Sequence, residues 1–257
     1  MVERCFWHWN VIIVCIVGKV VNLKLQVNNL NKSYGRKVIL KDLDFTFESG
    51  KIYGLIGRNG VGKTTFFNCI NGDVDITSGK FILEDDNNSF PLKTSDIGYV
   101  VSTPVVPEFL TANEFIQFFI DINKDKITDL KSIDEYFEIV QIDKKDRDKL
   151  LKDYSHGMKN KMQILINIIA NPKVILLDEP LTSLDIVVQE DMKKLLKKLK
   201  SNHIIIFSTH ILELAMDLCD EIVILNNNKL ELVEKNNLNT TEYKDKIINS
   251  LKEQKNV

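Results

Sequence analysis

The sequence has few cysteines and no two of them in a CxxC arrangement: Cys5, Cys15, Cys69 and Cys219 are scattered over 257 residues. That pattern offers no disulfide framework and points to buried or idle thiols in a reducing, cytoplasmic compartment. A chain of this length can bury a substantial core without covalent staples. A positive excess is missing as well, since 34 Lys and Arg against 36 Asp and Glu leave a formal net charge of −2. A protein held mainly by nucleic-acid phosphates carries the opposite balance, which argues against DNA or RNA as the main partner. Long apolar runs are also lacking. The stretch "VIIVCIV" (Val11 to Val17) stops at Gly18 and Lys19, far short of the roughly 20 residues that span a bilayer. It has neither a clear basic start nor a small-residue cleavage site, so it does not read as a secretory signal. Residues 1–22 stand apart as an atypical lead: either a short added strand or anchor, or sequence outside the natural product.

What is present becomes regular from Leu23. "LKLQVNNL", "KVIL" and "LDFTFES" read as short strands separated by Asn, Gly and Lys clusters, which predicts an antiparallel β layer. "KIYGLIG" is a buried strand running into a glycine loop and a helix that begins near Gly62, and "FILED" and "IGYVV" add further strands. Between about residues 103 and 170 the pattern turns helical. Thr111 with Glu114 and Ser132 with Glu135 have capping-box spacing ahead of apolar residues at three-to-four intervals. "KVILLDEP" then returns to sheet, followed by a helix from about Ile186 to Lys200 and the strands "HIIIFSTH" and "EIVIL". In that helix Val188, Met192, Leu195, Leu196 and Leu199 share one face. The predicted class is α/β: a phosphate-loop core at residues 23–235 with an antiparallel layer and an inserted helical subdomain, then a polar tail at 236–257 with one modest amphipathic stretch.

"GRNGVGKTT" fits a phosphate loop, with Gly57, Gly62, Lys63 and Thr64 in the required places and Gly60 in addition. Glycines let backbone N–H groups approach phosphates, and the helix N-terminus adds positive potential. Lys63 can reach the outer phosphates and Thr64 can ligate Mg²⁺, while Asn59 and Thr65 belong to the same nucleotide-binding loop. "VILLDEP" ends an apolar strand with two acids, at the sheet end where ligands bind in such folds. Asp178 is the metal-side candidate. Alternation of side chains along a strand predicts that Glu179 points away from Asp178 and holds attacking water as general base.

These motifs together resemble the ATP-binding subunit of an ABC transporter, over about Leu23 to Glu234. Tyr34 in "KSYGR" matches the aromatic that stacks on adenine, and "YSHGM" matches the family signature usually written LSGGQ. "SLD" (Ser183 to Asp185) matches the loop after the acids, and His210 in "STH" matches the switch histidine. Singly, Tyr34 reads as a turn aromatic, Ser155 as a helix cap and His210 as a strand-end histidine; their joint order carries the resemblance. It implies ATP and Mg²⁺ as cofactors, with Glu179, His210 and Lys63 catalytic. Tyr34, the phosphate loop, Ser155, Gly157 and Asp185 would bind nucleotide, and Thr64, Asp178 and Ser102 would lie at the metal. It further implies a head-to-tail homodimer, or a pair with a related ATPase subunit, in which each signature covers the γ-phosphate held by the other chain. Integral membrane subunits would dock on the helical insert between Thr103 and Ala170, with Ser102 at its base, leaving this chain peripheral at the inner face of the cell membrane.

Two positions depart from the family pattern. Ser102 stands where "IGYxxQ" supplies a glutamine, and His156 replaces the first glycine of the signature, a change that tilts the reading toward export. Family members typically begin with methionine just before the first strand, so Leu23, whose codons include an alternative bacterial start, is the expected natural start. Two rival readings stay open: an ABC-type ATPase outside transport, and a nucleotide-dependent switch without hydrolysis.

Overall fold

A computed structural model describes residues 22–127, 129–181, 184–234 and 240–252. Cys5, Cys15, Ser183 and nearly all of the N-terminal lead lie outside these residues. Strands β1 (Lys24–Tyr34), β2 (Lys37–Glu48), β3 (Ile52–Ile56), β4 (Ser78–Glu84) and β5 (Ser89–Pro91) come first, with helix α1 (Lys63–Asn71) after β3. Strand β6 (Ile97–Val100) precedes helices α2 (Ala112–Asn123), α3 (Ile133–Val140) and α4 (His156–Ala170). The chain then alternates through β7 (Val174–Asp178), α5 (Ile186–Leu199), β8 (Ile204–Thr209), α6 (Leu212–Leu218), β9 (Glu221–Asn226), β10 (Lys229–Val233) and α7 (Thr240–Lys252).

Two sheets result. One is antiparallel in the order β2-β1-β4-β5, and the other runs β10-β9-β3-β8-β7-β6, with all its pairs parallel except β10 with β9. Strands β3, β7 and β8 are buried along their whole length, as their near-continuous apolar runs require of parallel strands covered on both faces. Leu176, Ile204 and Ile206 pack toward the antiparallel sheet and α1, whereas Leu177, Ile205 and Phe207 join the core of the helical insert. Each fully buried aliphatic side chain of this kind contributes about 1.5–3 kcal/mol.

One correction concerns the antiparallel layer. "KVIL" and "LDFTFES", read as separate strands, form the single strand β2, and β1 runs on to Tyr34. The polar clusters inside them are bulges: Asn29 and Asp42 take positive φ (47° each), and Asn31 and Asp42 exchange hydrogen bonds of 3.0 and 3.1 Å across the pair. Asn and Asp tolerate the left-handed region, so a bulge there costs less than a strand break.

In the insert, both capping boxes form. Thr111 and Ser132 each accept from the N–H three residues on and receive the Glu114 or Glu135 carboxylate on their own N–H. Ile116, Ile120, Phe137 and Val140 then meet Met162 and Leu165 of α4 in one cluster. The five-residue face expected of α5 also packs inward, with Met192, Leu195 and Leu196 buried and Val188 and Leu199 partly so. At the other end α7 buries Tyr243 and Ile247 against α6 and β9, and the Tyr243 hydroxyl donates to the Val233 carbonyl at 3.0 Å.

Candidate functional site

Parallel pairing fixes the site. Ile56 lies opposite Thr209 and Asp178 opposite Ser208, so the C-terminal ends of β3, β7 and β8 open on the same edge, beneath the loop that enters α1. Gly60 (φ 79°) and Gly62 (φ 118°) hold left-handed backbone, and a Cβ on Gly57 would sit 2.8 Å from the Leu225 carbonyl oxygen. Only glycine meets all three demands. A cleft of about 360 Å³ is lined by Ile39, Asn59, Gly60, Gly62, Lys63, Thr64, Thr65, Ser102, Asp178 and Glu179. Ser102 therefore does border the phosphate loop, although its short side chain is exposed.

Lys63 folds onto the loop itself, donating to the Gly57 carbonyl at 2.8 Å and that of Arg58 at 3.4 Å. Burial lowers its pKa, while the charges of Glu179 and Asp178 act against that shift. Thr64 Oγ1 donates to Asp178 Oδ2 at 3.0 Å, and Ser208 Oγ donates to the other carboxylate oxygen at 2.5 Å. A hydroxyl and a carboxylate side by side form a hard oxygen pair of the kind Mg²⁺ accepts together with phosphate oxygens and water, so these residues fit that ion. Ser208 was not singled out in the sequence, because its role depends on β7–β8 register.

Asp178 and Glu179 both line the cleft but hold different partners, and strand alternation does not set Glu179's position. Strand β7 ends at Asp178, and Glu179 takes φ 51°, with its N–H 3.2 Å from both the carbonyl and the hydroxyl of Ser208. Glu179 therefore sits in a left-handed turn beyond the strand, where the expected side-chain alternation no longer applies. A non-glycine residue in this region costs on the order of 1–2 kcal/mol, which is the sort of strain that collects at functional sites. Its Oε1 lies 2.8 Å from His210 Nδ1.

Ser155, Gly157 and Asp185 are not among the residues lining this cleft. Ser155 caps α4, accepting from the Met158 N–H at 3.2 Å, and both Ser155 and His156 are exposed. Asp185 caps α5 by accepting from the Val188 N–H at 3.0 Å. Gly157 is buried where the two helix starts meet: a Cβ there would lie 3.2 Å from Val188 and 3.4 Å from Leu184. Tyr34 is half exposed at the end of β1, pairs with Lys37, and has the Lys32 ammonium 4.5 Å from its ring centroid.

A phosphate loop, a hydroxyl–carboxylate pair and a glutamate held by histidine, on an α/β sheet edge, define a P-loop ATPase. A family model described as "ABC transporter" matches residues 40–182. The chain is 32% identical over 211 residues to the uncharacterized ABC transporter ATP-binding protein YdbJ of Bacillus subtilis, covering 80% of this chain and 68% of that one. It is 30% identical to the sulfate/thiosulfate import ATP-binding protein CysA of Synechococcus elongatus, covering 81% of this chain and 62% of that one. Among solved structures, cbiO1 from Clostridium perfringens, part of the ABC transporter complex cbiONQ, superposes with a TM-score of 0.66 at 26% identity, covering 81% of this chain and 86% of that one. The chain belongs to the ABC transporter ATP-binding family, a family of ATPases. Among the described residues no helix is long and apolar enough to cross a membrane.

Proposed function

We propose that this chain binds Mg-ATP between two copies arranged head to tail, or between itself and a related ATPase subunit, and drives a substrate through separate membrane subunits. One observation carries the reading. Ser155 and His156 expose the N-terminus of the 15-residue helix α4, yet neither lines the phosphate-loop cleft of the same chain. A helix N-terminus attracts anions, and the signature resemblance supplies that anion as the γ-phosphate of a second chain.

Within one site the roles follow from position. Lys63 and the loop N–H groups hold the phosphates, and Thr64 and Asp178 hold the magnesium, whose charge offsets that of the phosphate oxygens when bound. Glu179 orients the attacking water and accepts its proton, with His210 steadying the carboxylate. Tyr34 offers a ring face to adenine.

For docking, we assign a groove between α2 and α3, lined by Asn113, Gln117, Phe118, Asp121, Ile133 and Asp134, to a membrane subunit. Phe118 is 56% and Ile122 61% exposed on α2, an apolar surface that a partner would cover. The chain is then a cytoplasmic protein bound indirectly to the inner membrane face. The "YSHGM" form of the signature supports export. Purification with the membrane protein encoded beside it, reconstitution in vesicles, and assay of phosphate release and substrate flux test the proposal; ATP-driven flux toward the nucleotide-free side is expected, and phosphate release indifferent to that partner would refute it.

A further inference from the structure

Lys32 is a buried cation outside the phosphate cleft, 8% exposed, with no part in the chemistry above. It lies in β1 opposite Leu40, two residues before Tyr34. Its ammonium donates to the Asp75 carbonyl at 2.5 Å and lies 4.5 Å from the centroid of the Tyr34 ring. Asp75 belongs to the segment that follows the Gly72 cap of α1. A single side chain therefore links the end of the phosphate-loop helix to the strand bearing the aromatic. On the opposite side of the hairpin, Ile39 both lines the cleft and closes on Gly62, where a Cβ would meet its Cγ2 at 2.9 Å.

An aromatic ring attracts cations to its negative faces. The Lys32 ammonium, anchored by Asp75, engages one face, while Tyr34 remains 49% exposed. We infer that Lys32 is a positioning residue for base binding, holding the Tyr34 ring in place through one face so that the other stacks on the purine of the bound nucleotide. The inference rests on the reading of Tyr34 as the base-stacking aromatic. Without the ammonium, the ring gains rotamer freedom that must be given up when the base binds.

Calorimetric titration of the full chain with Mg-ATP and with magnesium tripolyphosphate, which lacks a base, tests this. Lys32→Met should weaken Mg-ATP about fivefold, the scale of a cation–π contact, and leave tripolyphosphate unchanged. Lys32→Arg, which keeps a cation over the ring, should restore Mg-ATP affinity. Lys32→Met added to Tyr34→Ala should cause no further loss. Equal weakening of both ligands would place Lys32's effect on the phosphate loop and overturn the inference. A loss with Tyr34→Ala but none with Lys32→Met would overturn it while leaving base stacking intact. If Tyr34→Ala binds Mg-ATP as tightly as the unmodified chain, the stacking reading falls, and this inference with it.

Discussion

His210 Nδ1 lies 2.8 Å from Oε1 of Glu179, joining the residue after β7 to the residue after β8. The Glu179 side chain is 18% exposed and the His210 side chain 46%, so the carboxylate is sheltered while its partner stands toward solvent. Removing the carboxylate's basicity and removing its support are different losses. Glu179→Gln should retain Mg-ATP affinity and lower kcat by about 100-fold or more, the scale of general-base loss. His210→Ala should lower kcat less than Glu179→Gln does, with affinity again unchanged. Single-turnover phosphate release and equilibrium binding check both.

In the proposed function Lys63 acts before the chemical step. Its ammonium lies against the loop carbonyls in a site where burial lowers its pKa, and it lines the phosphate-loop cleft. Lys63→Ala should weaken Mg-ATP binding about tenfold or more, unlike Glu179→Gln. Equal nucleotide affinity in the two variants would contradict these roles.

The start of α4 separates a packing glycine from an exposed cap. At Gly157 a side chain would be driven into Val188 and Leu184, so Gly157→Asp buries a carboxylate among apolar atoms and should destabilise the fold by about 2–4 kcal/mol. Ser155→Asp keeps a good capping group on the Met158 N–H and should melt within a few degrees of the unmodified chain. Thermal unfolding of the two variants measures the difference.

Acid sensitivity has a named source far from the nucleotide. His203 is buried, and its Nδ1 lies 2.6 Å from the Pro172 carbonyl, which can only accept; burial pulls its pKa below the ordinary 6.5. The folded protein therefore binds fewer protons here than the unfolded chain does. Its contribution to stability is complete above about pH 6.5 and is lost as pH falls from there toward the lowered folded value. Between about pH 7.5 and 5.5, the fall in melting temperature should be smaller for His203→Gln than for the unmodified chain.

Much of the site was legible because a phosphate loop is a local device: Gly57, Gly60, Gly62, Lys63 and Thr64 are fixed by spacing along one loop and one helix start. Capping boxes are equally local, hence Thr111 with Glu114 and Ser132 with Glu135. What escaped depends on contacts between distant segments. Ser208 reaches Asp178 only through β7–β8 register, and Lys32 reaches Asp75 only once β1 lies beside the segment after α1. The turn at Glu179 and the bulges at Asn29 and Asp42 depend on φ angles that a periodic pattern of apolar residues does not encode. Gly157 could be placed at a helix start from its motif, but the inward direction of its missing side chain required the position of α5.

The central claim is that the start of α4 acts on nucleotide held by another chain, and complementation tests it most directly. One chain carries Lys63→Ala and the other Ser155→Asp, which leaves the cap but sets a carboxylate where the partner's phosphate belongs; both also carry Glu179→Gln to block turnover. Each homodimer then has two damaged sites, whereas the mixed dimer gathers both defects into one site and leaves the other whole. Light scattering in Mg-ATP, with Glu179→Gln alone as the dimerising reference and chain exchange shown by labels, should find more dimer in the mixture than in either component. A mixture that exchanges chains yet dimerises no better than its components would contradict the shared site and leave Ser155 as a helix cap alone.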